Sequence, residues 1–408
     1  MRTVGLITEY NPFHKGHRYH IEEAKKLSGA SHVVVIMSGN FVQRGIPAFL
    51  DKYSRAEIAL KNGVDLVLEL PVIFSTGSAE IFARGAVSIL DRIGITDCIC
   101  FGTESSSAGE LERIAEILME EPEEFREILQ KELKKGSSFP AARKKALLSV
   151  FPEADRESIE QLINSPNNIL GIEYLKALAR RSSSIQPLCI HRIHAGYHEE
   201  AFDKRFFSAS AIRSIQDNDL LLRTLGEIDD LYVRDFQRSY PVFTSDFNEI
   251  LGSRLLSAAG SCGLTDFLDV SRDIANSICK NLYSYMGIEE FASLLKSKNV
   301  AYSRISRCLL HIMLDIRGGV VKNALAHDFP SYVKILGFND RGKELLGRIR
   351  PDITLLTKTA GYEKRLTNPL DREIFETNLQ ADMLYRMVVM NKFKQVVPNE
   401  FTQKIIII

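Results

Sequence analysis

The sequence lacks an apolar stretch of the roughly 18 residues that a membrane-spanning helix needs. It also lacks, at its start, a basic segment followed by a long apolar run, because an apolar run of strand length begins at once. These absences exclude a membrane-spanning protein and a secretory signal peptide. We therefore expect a cytoplasmic protein with no membrane partner.

Cysteines are few, and none forms a CxxC pair. The six cysteines, most of which lie inside apolar runs, are Cys98, Cys100, Cys189, Cys262, Cys279 and Cys308. This pattern is typical of reduced core thiols in a cytosolic protein and excludes a disulfide framework or a zinc site of the usual spacing. We expect no metal-ligating side chains.

Net charge of one sign is also absent, since 52 basic side chains balance 52 acidic ones. The chain as a whole therefore carries no electrostatic signature of a nucleic-acid partner. One late segment is locally basic, either as a solvated charged face or as a phosphate-contact surface. Its residues are Lys334, Arg341, Lys343, Arg348, Arg350, Lys358, Lys364 and Arg365.

Apolar runs of strand length alternate with helical stretches in the first half of the chain. The runs cover residues 4–7, 32–37, 65–70, 97–101 and 187–193. This alternation predicts an α/β fold with a Rossmann-like parallel sheet whose ligands bind at the carboxyl ends of the strands. At 408 residues the chain is long enough for two domains. We predict a first domain at 1–230 that contains this sheet and a mainly α-helical second domain at 231–408.

The most informative segment follows the first strand. It reads Thr8-Glu9-Tyr10-Asn11-Pro12-Phe13-His14-Lys15-Gly16-His17 and predicts a turn, then a helix that opens near His17. Helix-start amides attract anions, a glycine admits a polyphosphate, and imidazoles donate hydrogen bonds to an attacked phosphate. Two simpler interpretations stay open: the histidines are surface turn residues, or they are two metal ligands that lack a third.

Two later segments add polar groups. Ser208 and Ser210, with Arg213 one turn on, predict a second anion-binding loop at a helix start, although a serine there can be a simple N-cap. Asn167 and Asn168 open another helix and offer amides that cap it or contact a nucleotide. The sequence does not separate the two asparagines.

His14-Lys15-Gly16-His17 is the His-x-Gly-His signature of the nucleotidylyltransferase superfamily, and Ser210-Ala211-Ile212-Arg213 resembles its second phosphate loop. Further segments narrow the match: 37–45, 51–56, 63–71, 101–104, 167–171 and Arg192. With these, the chain resembles the bacterial tRNA(Met) cytidine acetate ligase family from end to end.

The resemblance implies an ATP-dependent ligase that forms N4-acetylcytidine at the wobble position of elongator tRNA(Met). Acetate is activated as an acetyl-adenylate, and AMP and pyrophosphate are released. It implies elongator tRNA(Met) and acetate as partners and ATP as a substrate, with an ATP-binding catalytic domain at 1–230 and a tRNA-binding domain at 231–408. Because the reaction brings two anions together, we also expect Mg²⁺ to neutralise charge. The oligomeric state stays open.

Carried over by position, the catalytic residues are His14, His17 and Arg213. The ATP-binding set is Ile7, Thr8, Glu9, Tyr10, Asn11, Pro12, Phe13, His14, Lys15, Gly16, His17, Arg18, Tyr19, His20, Gly102, Asn167, Asn168, Arg192, Ser208, Ser210 and Arg213. Asp51, Lys52 and Arg55 are candidates for the substrate side, with helix capping by Asp51 and an ordinary exposed salt bridge as the alternatives.

Two other functions are compatible with the motifs. A small-molecule adenylyltransferase acting on a phosphate ester would use the same loops, but it leaves the sequence after about residue 230 without a task. A non-catalytic ATP- or tRNA-binding module would need no histidine at the α-phosphate.

Overall fold

The computed structural model describes residues 1–104, 108–191, 208–215, 217–260, 263–328 and 330–408. Within these ranges the chain is built around a mainly parallel β-sheet. In chain order the strands are β1 (Thr3–Thr8), β2 (His32–Ser38), β3 (Phe41–Val42), β4 (Ile46–Pro47), β5 (Leu66–Leu70), β6 (Cys98–Thr103), β7 (Gln186–His191), β8 (Tyr332–Phe338), β9 (Thr354–Leu356) and β10 (Ile406–Ile407).

The sheet has the strand order β10-β8-β5-β2-β1-β6-β7, and β9 pairs with β8. Strands β5, β2, β1, β6 and β7 run parallel, with Thr3 opposite His32 and Thr8 opposite Met37 at the centre. The five predicted strands and the α/β class are confirmed. Strand β7 ends at His191, and positions 192 and 193 of its predicted range lie outside the described residues.

Strand β2 illustrates how the sequence sets the two cores. Val33, Val35 and Met37 join one apolar cluster, whereas Val34 and Ile36 join another. Side chains alternate across a strand, so both faces of the sheet are buried, as a parallel sheet requires.

Helices cover both faces of the sheet and continue beyond it. Those of the first half are α1 (Lys15–Ser28), α2 (Lys52–Lys61), α3 (Val72–Ser75), α4 (Ala79–Ile93), α5 (Ala108–Glu120), α6 (Glu123–Lys134), α7 (Phe139–Ser149), α8 (Arg156–Asn164), α9 (Pro166–Arg180), α10 (Ala209–Arg213) and α11 (Asn218–Gly226). Those that follow are α12 (Asp230–Asp235), α13 (Asn248–Gly260), α14 (Arg272–Asn281), α15 (Ile288–Leu295), α16 (Tyr302–Leu314), α17 (Gly318–Ala326), α18 (Asp340–Leu346), α19 (Tyr362–Arg365) and α20 (Pro369–Phe393).

The late part of the chain completes the sheet. Strand β8 runs antiparallel to β5, and β10 runs parallel to β8 on its other side. Strand β8 was not predicted, because Lys334 interrupts its apolar pattern with a charge. The division at residue 230 stays a prediction, and the sheet crosses it.

None of the helices in the described ranges is long and apolar enough to cross a membrane.

Candidate functional site

The turn between β1 and α1 lies at the carboxyl edge of the parallel strands. Strand β1 ends at Thr8 and α1 begins at Lys15, slightly before the predicted opening near His17. His14 is the N-cap, with an extended backbone (φ −147°, ψ 172°). The first motif therefore lies where ligands bind in sheets of this type.

His14 and His17 cap α1 through their ring nitrogens. Nδ1 of His14 accepts a hydrogen bond from the Gly16 N–H at 3.1 Å, and Nδ1 of His17 accepts one from the His14 N–H at 3.2 Å. The two rings are stacked with centroids 3.7 Å apart. Because both Nδ1 atoms accept, each neutral ring carries its proton on Nε2. The cap thus selects the tautomer that donates from Nε2.

Gly16 is needed for this geometry. A Cβ at this position would lie 2.9 Å from Cε1 and 3.0 Å from Nδ1 of the His14 ring. Any other residue would push the ring away from the amide that it caps.

Buried contacts hold the rest of the turn. Tyr10 and Phe13 are buried, and Tyr10 has a left-handed φ of 47°. The side-chain Oδ1 of Asn11 accepts a hydrogen bond from the Phe49 N–H at 2.7 Å. The Phe13 carbonyl accepts one from the Tyr232 hydroxyl at 3.1 Å. These contacts fix the turn to other elements, so its amides keep a constant geometry.

The second motif meets the first, although the two are 202 residues apart in the chain. Arg213 donates a hydrogen bond to the Asn11 carbonyl, and its Nη2 lies 3.4 Å from Ser210 Oγ. The Ser208 hydroxyl accepts a hydrogen bond from the Ala211 N–H at 3.2 Å, so Ser208 is the N-cap of the five-residue helix α10. The described structure thus brings a guanidinium and a hydroxyl beside the histidine turn.

Arg44 is a further cation of this site, and the sequence reasoning did not name it. Its Nη1 lies 3.4 Å from Ser210 Oγ, and its side chain is exposed. The sequence feature that could have identified Arg44 is its position in the segment 37–45, which includes the end of β2 and the loop after it at the carboxyl edge of the sheet.

Glu9 is the carboxylate of the site. Its Oε1 accepts a hydrogen bond from the Gln43 N–H at 2.9 Å. Desolvation raises the pKa of the Glu9 carboxyl, and the Gln43 N–H, Arg213, Arg44 and Arg55 oppose this rise. Burial lowers the pKa of Arg213, and Glu9 opposes that shift. Three guanidinium groups therefore act on the Glu9 carboxylate.

The end of β6 lies at the same carboxyl edge, on the side of β1 opposite to β2. Gly102 is half-buried there, and the Glu104 N–H donates to Oδ1 of Asn168 at 2.9 Å. Asn167 donates from its side chain to the Glu104 carboxylate. Both asparagines lie in the first turn of α9 and tie it to the β6 end. Asn168 is buried and Asn167 is half-buried.

Arg55 is fully buried and connects the loops at the carboxyl edge of the sheet. Its guanidinium donates to the carbonyls of Leu50 at 2.8 Å, Glu9 at 2.5 Å, Ser38 at 3.1 Å and Gly39. One side chain therefore ties the loops that follow β1 and β2 to the start of α2.

Asp51 and Lys52 also have internal contacts. Asp51 is the N-cap of α2 and accepts from the Tyr53 N–H at 2.9 Å and the Ser54 N–H at 3.1 Å. The exposed salt bridge considered for this segment is wrong for Lys52, which is fully buried. The substrate-side assignment of Asp51, Lys52 and Arg55 stays a prediction.

Lys52 belongs to a buried ionic cluster that the sequence did not reveal. Its Nζ lies 2.8 Å from Glu69 Oε1 and 3.4 Å from Glu400 Oε2, and it also contacts Asp382. Lys334 of β8 contacts Glu400 and lies 3.8 Å from Glu69 Oε2. We name these five residues the buried cluster. Its members are too distant in sequence for spacing to connect them.

The remaining predicted nucleotide residues surround the turn. Ile7 is half-buried, and Thr8 and Pro12 are buried. Lys15 pairs with Glu227 at 3.1 Å, and Nε of Arg18 donates to Asn62 at 2.7 Å. Tyr19 and His20 are half-buried in α1. Arg192 lies outside the described residues.

The late basic segment is not one continuous surface. Lys334 is buried in the cluster, whereas the other seven basic side chains of the segment are exposed. The charge pattern alone could not separate this buried position from the exposed ones.

Across the described ranges, no group of three or more His, Cys, Asp or Glu side chains is arranged to hold a metal ion.

Comparison with known proteins first defines the class. The family model "HIGH Nucleotidyl Transferase" matches residues 1–399. The parallel sheet, the histidine turn and the Arg213 loop agree with this class.

Relatives then define the family. A protein of Acetivibrio thermocellus named tRNA(Met) cytidine acetate ligase is 41% identical, with all of both chains covered. One of the same name from Caldanaerobacter subterraneus is 40% identical, with 96% of each chain covered. The Thermotoga maritima TmcAL structure bound with alpha-thio ATP superposes with a TM-score of 0.91 at 32% identity over both full chains. The chain belongs to the tRNA(Met) cytidine acetate ligase family.

Proposed function

We propose that the protein is an ATP-dependent ligase that acetylates the wobble cytidine of elongator tRNA(Met), with acetate as the acyl donor. The observation that carries this proposal is the meeting of His14, His17, Ser210 and Arg213 at the carboxyl edge, in a chain of this family. Because tRNA is the proposed substrate, we place the reaction in the cytoplasm.

In the first step an acetate oxygen attacks the α-phosphorus of ATP, and the bond to the β,γ-pyrophosphate breaks. Both reactants are anions, so the site must offset repulsion and the charge that develops on the α-phosphate. We assign this to the Nε2–H donors of His14 and His17. We assign the leaving pyrophosphate to Arg213 and Ser210, with Arg44 beside them.

In the second step the N4 amine of cytidine attacks the acetyl carbonyl. A C–N bond forms, the amine loses a proton and AMP leaves. The amine is a weak nucleophile, so its orientation against the anhydride must supply much of the rate. We propose that the turn residues Ile7 to His20, with Gly102, Asn167, Asn168 and Arg192, hold the nucleotide during both steps.

We propose that Mg²⁺ enters the site bound to the triphosphate of ATP. The described residues form no dedicated metal cage, and Glu9 is hydrogen-bonded to the Gln43 N–H. Magnesium sites of this kind use substrate phosphates more than protein ligands. When bound, the ion would neutralise phosphate charge.

The test is nucleoside analysis of elongator tRNA(Met) after incubation with ATP, Mg²⁺ and labelled acetate. We expect label in N4-acetylcytidine, and a loss of about 10²–10³ in rate for His17→Ala, as for removal of one positioned donor. His327→Ala is the matched control, because His327 is an exposed histidine of the late region.

Two outcomes would contradict the proposal. Pyrophosphate release that depends on a phosphate ester, without labelled cytidine, would indicate a small-molecule adenylyltransferase. ATP binding without any pyrophosphate release would indicate a non-catalytic module.

A further inference from the structure

One region of the surface is basic without acidic counterparts in sequence. Residues 291–314 contain no aspartate or glutamate, although the whole chain has equal numbers of acidic and basic side chains. Helix α15 ends in this region, a tight turn pairs Ser297 with Val300, and α16 follows. Lys296, Lys298 and Arg304 are exposed there. We name residues 296–304 together with Arg44 the basic ridge.

Within the described ranges, the charges at the tip of the turn have no ion-pair partner. Among the ion pairs of the described residues, none involves Lys296 or Lys298. Arg307, by contrast, is held by Asp269 at 3.0 Å and supports the fold. Glu289 and Glu290, at the start of α15, lie near Tyr302, and Asp269 lies beside Arg304 and Arg307. The two lysines therefore present their charge to solvent.

The basic ridge is continuous with the nucleotide site. Gly45 has a left-handed φ of 77°, and a Cβ there would lie 2.5 Å from the Arg307 N and 2.6 Å from the Ser306 carbonyl carbon. The turn between β3 and β4 thus rests directly on α16. Arg44, which precedes Gly45, reaches Ser210 of the second phosphate loop.

An aromatic side chain completes the surface. Tyr302 is 38% exposed and lies one helical turn before Ser306, so about 6 Å separate it from the contact with Gly45 along the helix axis. Unpaired RNA bases stack on aromatic rings while basic side chains contact the phosphates. A protein partner would instead need a buried apolar anchor, and the exposed positions of 296–304 are mostly polar.

We propose that the basic ridge binds the anticodon loop of the tRNA, with Lys296 and Lys298 on backbone phosphates and Tyr302 stacked on an unpaired base. This inference rests on the proposed function and places its RNA substrate.

The test measures the binding of labelled elongator tRNA(Met) to the full chain by fluorescence anisotropy at several salt concentrations. Lys296→Ala combined with Lys298→Ala should weaken binding and lower the slope of log K against log salt by about 1 to 2. Tyr302→Ala should weaken binding about tenfold with the slope unchanged, and Tyr302→Phe should restore it.

The matched controls lie on other helices. Lys131→Ala with Lys134→Ala removes two exposed lysines of α6, and Phe139→Ala removes an exposed aromatic of α7. Both controls should bind tRNA like the wild type. An unchanged melting temperature of the ridge variants checks their folding.

Failure of this inference is distinct from failure of the proposed function. Ridge variants that bind tRNA with wild-type affinity and salt slope would overturn the inference, even if the wild type acetylates cytidine. A wild type that binds tRNA through the ridge but forms no acetylcytidine would overturn the proposed function alone.

Discussion

At the scale of the residue, the imidazoles of His14 and His17 cap α1 and, in the proposed mechanism, also donate to the α-phosphate. Each Nδ1 accepts a backbone N–H of the α1 start, and this hydrogen bond places the proton on Nε2. A lysine or arginine could supply positive charge but could not accept an N–H. In the proposed mechanism, the cap therefore requires histidine at these positions as much as the phosphate does.

Gly16→Ala tests this coupling. The added Cβ would meet the His14 ring at 2.9 Å, so we expect a displaced ring and a weakened cap. The predicted result is a rate of acetate activation at least tenfold lower, with a loss of stability of about 1 kcal/mol, as for other lost caps. Pyrophosphate release and urea unfolding measure the two effects.

Gly319→Ala is the control for this substitution. A Cβ at Gly319 meets nothing within 4 Å, and the residue lies in a helix, where alanine is the better former. We expect it to keep the activity and to be at least as stable as the wild type. Equal activity of the Gly16 variant would refute the coupling.

At the scale of the element, the buried cluster joins α2, β5, β8 and α20. Three carboxyl groups face two ammonium groups there, so full ionisation would leave a net negative charge away from water. Burial opposes a net charge. Desolvation raises the pKa of Asp382 to about 8, although Lys52 lowers it.

This shift predicts the sign of a pH dependence. Between its ordinary pKa of 3.8 and the folded value of about 8, Asp382 binds more proton in the folded chain than in the unfolded one. The free energy of unfolding should therefore fall as the pH rises through this window. Urea unfolding of Asp382→Asn from pH 5 to pH 8.5 should show a flatter dependence than the wild type.

A control variant and a second carboxyl group help to interpret this measurement. Asp340→Asn changes an exposed aspartate and should leave the wild-type pH dependence in place. Desolvation raises the pKa of Glu400, but Lys52 and Lys334 outweigh it and lower the value to about 2, so its contribution is lost only in acid. Parallel curves for wild type and Asp382→Asn would refute the assignment.

The same elements show what the sequence could predict. The central strands follow from continuous apolar runs, and the first motif follows from residue types within ten consecutive positions. Strand β8 was missed because a lysine is not expected in a buried strand. Lys334 is buried there because it pairs with the carboxylates of Glu69 and Glu400. Arg44 was missed because its relation to Ser210 exists only after folding. Local sequence patterns were enough to predict the central strands and the first motif. Contacts between residues far apart in sequence could not be predicted from such patterns.

At the scale of the whole molecule, residues after 330 complete the part that binds the nucleotide. Strand β8 covers β5, and Asp382 and Glu400 compensate the charge of Lys52. We predict that a fragment of residues 1–230 does not fold stably alone, since it would expose an apolar strand and a buried cation. The full chain should lose the sheet and the cluster in one cooperative transition.

Circular dichroism and limited proteolysis of the fragment and of the full chain measure this. A fragment with a sharp thermal transition and protease resistance would contradict the prediction, and would support independent folding of the proposed catalytic domain. Addition of residues 231–408 as a separate chain should restore protection if the missing strands are the cause.

The late position of β8 and Glu400 has a consequence for the order of events on the ribosome. Synthesis runs from the amino end, so the histidine turn emerges long before the groups that neutralise Lys52. A nascent chain that has reached only residue 330 holds the histidine turn without Asp382 and Glu400, which compensate Lys52. We therefore expect competence for ATP only after Glu400 has left the ribosome, so that shorter nascent chains would not consume nucleotide.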